Sequence, residues 1–286
     1  MNITYIIGVV GTFIVMLLGM VVGINIGPDA AAKGLQTFTF TPNNLWNFFD
    51  AASIFITIGC TFTVVAASFP GSMLKNIPKH FKVMLDAKKN NPMDYIDQLV
   101  ELAQIARKNG LLSLEEKANE QTDPFFKQAI MLIVDANDQD KVRAVLQNDI
   151  DCMSARHEDT AGLYDKASSV APAFGMVGTL VGLINMLKSM NLEGDGGGAG
   201  DLGGSMGTAL ITTLYGCILA HMVFGPVAQL LRIRDAEEVL CKQIIVEGVM
   251  AIQAGENPKA LKERLLTYMS QRDRELAEKS GGGGGE

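Results

Sequence analysis

Acidic side chains are missing from the stretches where an ion-handling protein would need them. No aspartate or glutamate occurs between Ala51 and Phe69, between Ser168 and Met190, or between Met206 and Leu231, although the 286 residues include 31 acidic ones. A membrane chain that binds and releases an ion unaided ordinarily carries an ionisable group inside the bilayer. If these stretches enter a membrane around an ion path, the acceptor has to come from another polypeptide.

Other absences narrow the field. The cysteines at 60, 152, 217 and 241 include no CxxC pair, so neither disulfides nor zinc is indicated. The net charge is −7, without the clustered lysine and arginine that phosphate binding needs, which argues against nucleic acid. The glycine run GDGGGAGDLGG at 194–204 lacks both the Lys-Ser/Thr and the preceding strand of a phosphate loop. No nucleophile–base pair or metal-ligand cluster stands out, so neither an enzyme nor a bound cofactor or metal is expected.

Apolar residues are gathered in blocks: Tyr5–Ile26, Ala51–Phe69, Ser168–Met190 and Met206–Leu231. Each is close to the roughly 20 residues that cross a hydrocarbon core about 30 Å thick. The first block has no basic region before it, and Gly27-Pro28 is a poor cleavage site, so a spanning helix rather than a removable leader is expected. Lys75, Lys79, Lys82, Lys88 and Lys89 follow the second block, Arg156 and Lys166 precede the third, and Arg232 and Arg234 follow the fourth. The link between the last two blocks carries Glu193, Asp195 and Asp201 instead. The positive-inside rule then puts residues 70–166, the tail and both termini in the cytoplasm.

The expected fold is all-α and polytopic. Residues 1–69 hold transmembrane helices at about 3–26 and 50–69 with an outer loop at 27–49. Residues 70–166 form a cytoplasmic helical domain; 167–231 hold the third and fourth spans with an outer glycine-rich loop at 191–205; 232–286 hold cytoplasmic helices and a flexible tail. Inside the insert, Asn91-Pro92 starts a helix with Ile96, Leu99, Ala103 and Ala106 on one face, and Gly110 ends it. Ser113 to Glu116 reads as a capping box, Thr122 or Asp123 with Pro124 opens another helix, and DANDQD at 135–140 breaks it. From Lys141 the helical pattern runs into the third span, and the fourth runs past Pro226 to Gln253. Asn257-Pro258 starts a last amphipathic helix.

Within the spans, Ala171, Gly175, Gly178 and Gly182 follow i, i+4, i+7, i+11 and make one close-packing seam; Gly19, Gly23 and Gly27 suggest another on the first helix. Thr179 lies beside the first seam, and Thr208, Thr212 and Thr213 lie on the fourth span, where they point to a polar lining. Pro172 and Pro226 each remove a backbone hydrogen bond at matching depth, as hinges would. Asp50 sits at a span edge, and His221 reads as an interhelical hydrogen-bond partner.

VAPAFGMVGTLVGL (170–183), ALITTLYGCILAHMVFGPVA (209–228) and ARKNGLLSLEE (106–116) resemble the MotA/PomA flagellar stator subunit, of the MotA/TolQ/ExbB superfamily, and GVMAIQAGENPK (248–259) is similar to its tail. The resemblance implies a homopentamer in the bacterial inner membrane around a dimer of a single-span MotB/PomB-type partner, whose membrane aspartate takes the ion. Ion flow would turn the pentamer, and its cytoplasmic part would push the rotor switch protein FliG. The family's functional prolines fall on Pro172 and Pro226, and its rotor-facing charges on Arg107, Lys108, Glu115 and Glu116. Those charges also suit the helix ends on which they lie. Where relatives often carry a further acid this chain has Ala118, with Glu120 nearby. The transported ion is Na+ or H+; Thr179, Thr212 and Thr213 match sodium-driven relatives, which favours Na+. The alternative is an ExbB/TolQ-like energiser coupling proton flow to outer-membrane processes. Those relatives usually have three spans, so the two N-terminal spans and ARKNGLLSLEE favour the stator.

Overall fold

The structure, a computed structural model, describes residues 3–25, 37–40, 42–80, 91–192, 198–271 and 274. Gly27, Lys82, Lys88, Lys89, Glu193, Asp195, the first part of the outer loop, the centre of the glycine-rich loop and the closing glycines lie outside the described residues. The elements are α1 (Ile3–Val21), β1 (Val22–Asn25), β2 (Thr37–Phe40), a 3-10 turn (Pro42–Phe48), α2 (Ala51–Ser68) and α3 (Gly71–Leu74). They continue with α4 (Pro92–Asn109), a 3-10 turn (Leu111–Ser113), α5 (Leu114–Glu120), α6 (Pro124–Val134) and α7 (Gln139–Leu192). Last come α8 (Gly198–Ile218), a π-helical turn (Leu219–Phe224), α9 (Gly225–Gln253) and α10 (Pro258–Leu266). The class is all-α, as expected.

The chain divides into two compact units, Met1–Ala87 with Asp159–Leu231, and Lys88–Glu158 with Arg232–Glu286. Three helices contain stretches apolar and long enough to span a bilayer: Ala51–Ser68, Gln139–Ser189 and Leu202–Gln253. The apolar part of α1, Ile7–Val21, is shorter. Apolar side chains such as Phe55, Leu180, Ile184 and Leu210 are exposed, as they would be in helices solvated by lipid or covered by other subunits. At one end of the unit Val65, Leu163, Ala167, Phe224, Val227 and Leu230 form a buried cluster, and Met73 and Leu74 of α3 pack against it.

The first helix is shorter than expected. It stops at Val21, where Val22–Asn25 leaves the helix to pair antiparallel with Thr37–Phe40, Val22 opposite Phe40. The reason is local: Val22 and Ile24 are β-branched, and TFTF at 37–40 alternates threonine and phenylalanine, all good strand formers. Gly23 therefore lies in a strand, and a Cβ on Gly19 would meet nothing within 4 Å. The seam expected on the first helix does not form among the described residues.

In the second unit, helices begin by one device used repeatedly. Asn91, Asp123 and Asn257 each accept a backbone N–H from two residues ahead, at 3.3, 2.9 and 3.1 Å, and each precedes a proline at the first helical position. That proline lacks only an N–H that would have had no partner in the helix. Gly110 closes α4 at φ 84°, a left-handed value that glycine adopts without a Cβ clash. Ile96, Leu99, Leu114, Phe126, Ile130, Leu146, Ile244, Ile245 and Leu261 fill the core. Gly248 of α9 lies so close to α4 that a Cβ there would approach Leu99 Cδ1 to 2.5 Å.

One expected cap is absent. Ser113 does not cap α5: it belongs to the 3-10 turn, and its hydroxyl donates back to Gly110 O at 2.7 Å. The tight turn after Gly110 uses that hydroxyl, so it is not available to the amide end of α5.

Candidate functional site

The first candidate region lies where α2, α7 and α8 meet in the first unit. α7 approaches α8 along the seam of small residues. A Cβ on Gly175 would lie 3.1 Å from Thr212 O and 3.2 Å from Thr213 Cα; one on Gly182 would lie 2.7 Å from Ser205 O. The Thr212 side chain fills the space that Gly178 leaves, and Ala171 is fully buried. The approach is reciprocal, since a Cβ on Gly216 of α8 would lie 2.8 Å from Ala171 O and 3.1 Å from Pro172 Cα. Small side chains thus bring the two backbones together, which is how helices associate where water cannot drive them.

The hydroxyls separate into two groups. Thr179 Oγ1 and Thr213 Oγ1 are 2.7 Å apart, and Thr179 Oγ1 also lies 3.1 Å from Gly175 O and from Ala209 O. Thr213 is exposed and Thr179 half-buried, so this pair opens onto a surface of the unit. Thr212 is fully buried, and its hydroxyl lies 3.0 Å from both Thr208 O and Ala209 O. Two of the three threonines singled out in the sequence therefore come together, while the third points into the helix contact.

Behind Thr212 stands a column that the sequence reading missed. Ser53, Thr57 and Thr61 of α2 are fully buried, at i, i+4 and i+8. Thr57 Oγ1 donates across to Thr212 O at 3.3 Å, Ser53 Oγ donates to Asp50 Oδ2 at 2.5 Å and lies 3.3 Å from Thr208 O, and Thr61 Oγ1 donates to Thr57 O at 2.6 Å. The signal was legible: three hydroxyls at helical spacing in an otherwise apolar run. Asp50 caps this helix, accepting the Ser53 N–H at 2.9 Å.

The prolines occupy unlike settings. Pro172 lies inside the uninterrupted α7, whereas Pro226 follows the π-helical turn Leu219–Phe224. At that turn the Gly225 N–H reaches back to Ala220 O, and Ser168 Oγ donates to the same carbonyl at 3.0 Å. Ser168 is four residues before Pro172, so it is the residue whose carbonyl a proline at 172 leaves without its helical donor. One side chain thus links the two proline regions. His221 is exposed and has no interhelical hydrogen bond among the described residues; with Gly8, Val9, Thr12, Met222 and Pro226 it lines a cavity of 260 Å³.

The second candidate region is the α4–α5 corner of the second unit. Arg107 and Lys108 lie in the last turn of α4, Glu115 and Glu116 in the first turn of α5, and all are exposed. Leu114, fully buried, holds the corner down, while Leu112 stands 74 % exposed between the two charge pairs. Ile105, Leu112, Ser113, Glu115 and Glu116 help line a groove of 680 Å³. Ala118 is fully buried, so a carboxylate there would be desolvated. Glu120 instead takes a hydrogen bond from Lys117 Nζ at 2.9 Å, which raises the Lys117 ammonium above its ordinary value. Among the described residues no cluster of three His, Cys, Asp or Glu side chains is placed to hold a metal.

A sequence profile of the MotA/TolQ/ExbB proton channel family matches residues 117–244. Motility protein A of Borreliella burgdorferi is 39 % identical over 94 % of this chain and 100 % of its own length. Chemotaxis protein PomA of Vibrio alginolyticus is 36 % identical over 96 % of this chain and 98 % of its own. Among solved structures, the flagellar MotAB stator complex from Bacillus subtilis contains a chain that superposes with a TM-score of 0.78 at 27 % identity, covering 94 % of this chain and 96 % of that one. With a matching profile, near full-length likeness and a shared fold, the chain belongs to the MotA/TolQ/ExbB proton channel family.

Proposed function

We propose that this chain is the flagellar stator subunit which, with a MotB/PomB-type partner, converts ion flow into rotation of the flagellar rotor. One observation carries the reading: end-to-end likeness to proteins named for motility and to a subunit of a stator complex. The acid-free spans fit a division of labour in which the partner brings the ion-binding carboxylate and this chain brings hydroxyls and close-packed helices. A motor and channel subunit of this kind performs no covalent chemistry. The full-length motility relatives also favour the stator over the energiser.

The finer parts of the reading follow from the same logic. Four spans, both termini in the cytoplasm and the bacterial inner membrane agree with the placement of Lys75, Lys79, Arg232 and Arg234. Residues 70–166 and 232–286 then form the cytoplasmic part, and 1–69 and 167–231 the membrane part. A homopentamer would arrange the Thr179–Thr213 pairs of its copies around the partner dimer, with Thr212 supporting each pair from behind. Na+ is the ion that such a hydroxyl-rich surface favours over H+. Pro172 and Pro226 act as hinges, and Arg107, Lys108, Glu115 and Glu116 meet the rotor protein FliG. One charge crossing 100 mV releases roughly 2.3 kcal/mol, so work is delivered in many small steps.

Deleting the gene separates the readings. Loss of swimming, restored by the intact chain, is expected; lost iron-complex uptake with normal swimming would instead point to the energiser. Swimming speed against external Na+ at a fixed proton gradient then identifies the ion.

A further inference from the structure

The buried polar side chains among the described residues are Ser53, Thr57, Thr61 and Thr212, and Ser53 and Thr57 reach carbonyls of α8. A threonine inside a membrane helix commonly bonds the carbonyl one turn back on its own helix. Thr57 instead donates to Thr212 O of α8, from within a π-helical turn of α2, Phe55–Gly59. π-helical turns recur at functional positions. The same carbonyl also faces Gly175 of α7, where a Cβ would lie 3.1 Å away.

The Thr212 carbonyl belongs to the peptide group whose nitrogen is that of Thr213. Three helices thus converge on the peptide that carries Thr213, whose hydroxyl pairs with Thr179 at 2.7 Å. Both Thr179 and Thr213 also reach Ala209 O, at 3.1 and 3.4 Å, so the geometry of the pair depends on how this part of α8 is rotated. The Thr57 hydroxyl is the only side-chain donor to the Thr212 carbonyl among the described residues. We infer that Thr57 is a positioning residue: through the Thr212 carbonyl it fixes the peptide that aims Thr213 and so sets the affinity with which the hydroxyl pair accepts the transported ion. The inference rests on the ion-path reading of Thr179 and Thr213 and extends it to a helix on which the sequence reading placed no site residue.

The test uses the assembled stator in swimming cells. Thr57→Val keeps the shape and removes the donor; Thr57→Ser restores the donor. Speed is measured against external Na+ at a fixed proton gradient, or against external pH if H+ proves to be the ion, with membrane abundance measured in parallel. Thr57→Val is expected to move the half-saturating ion concentration about two- to tenfold, the range one hydrogen bond supplies. Maximal speed and abundance should stay near wild type, and Thr57→Ser should return the curve. Should Thr57→Val reduce assembly, Thr57→Ala is read in its place. A variant that changes only abundance or maximal speed, or a serine variant as defective as valine, overturns the inference. Thr213→Ala serves as the reference: if it shifts half-saturation while Thr57→Val does not, the positioning role alone falls. If Thr213→Ala shifts nothing, the ion-path reading falls and takes the inference with it.

Discussion

Single side chains decide how closely the membrane helices approach. Gly178 leaves the space that Thr212 fills, so Gly178→Val should destabilise the protein by about 1–3 kcal/mol through overpacking. Gly207 of the neighbouring helix meets nothing within 4 Å, so Gly207→Ala should be neutral or slightly stabilising. Thermal unfolding of the detergent-purified protein checks both. His80 offers a second case outside the spans. Its Nδ1 lies 3.1 Å from the Tyr164 hydroxyl, and burial depresses its pKa below the ordinary histidine value. The folded state therefore holds fewer protons there than the unfolded chain. The corresponding stability is complete above about pH 6.5 and declines as the pH falls below it. The Tm advantage of wild type over His80→Gln should shrink between pH 7 and pH 5. The glycine spacing in α7 was legible in the sequence because the seam is a property of one helix. The Ser53–Thr57–Thr61 spacing was legible too, but not what it is for, because Ser53 and Thr57 face carbonyls of α8.

Helices and turns followed the sequence wherever local chemistry decided, and departed from it where a neighbour competed. Asp123 caps α6 and Asn91 caps α4 because each precedes a proline and a sustained apolar pattern. Ser113 has the spacing of a capping residue, yet the preceding Gly110 draws the chain into a 3-10 turn and its hydroxyl bonds there. Asp123→Ala should therefore cost about 1 kcal/mol, whereas Ser113→Ala should have little effect on the start of α5. Denaturant titration of both variants, with circular dichroism as the readout, distinguishes a real cap from a spacing that resembles one. The early stop of α1 has a similar origin: a continuous apolar run satisfies a helix and a strand equally well, and only the distant Thr37–Phe40 segment breaks the tie.

The two units place their stability in different interactions. The second unit has a dense apolar core, and Leu261 of α10 is fully buried within it. Leu261→Ala should cost about 2–5 kcal/mol in that unit. Partial proteolysis should then cut the α4–α6 region faster, while the membrane helices stay protected. Lys262 on the same helix pairs with Asp97 of α4 at 3.0 Å, but both side chains are substantially exposed, so the apolar contact dominates. The all-α class and the order of helices could be read from hydropathy and caps, since both are local. The Thr179–Thr213 pairing and the burial of Thr212 could not, because they depend on the rotation of one helix against two others.

The π-helical turn at Leu219–Phe224 has a genetic corollary. Such a turn houses one amino acid more than the regular ladder would over the same rise. Removing a single codon there would tighten the turn into ordinary α-helix and leave Val227, Ala228 and Ile244 facing their present neighbours. The same deletion a few positions later, within α9, would swing every following side chain by about 100° and turn the buried stripe outward.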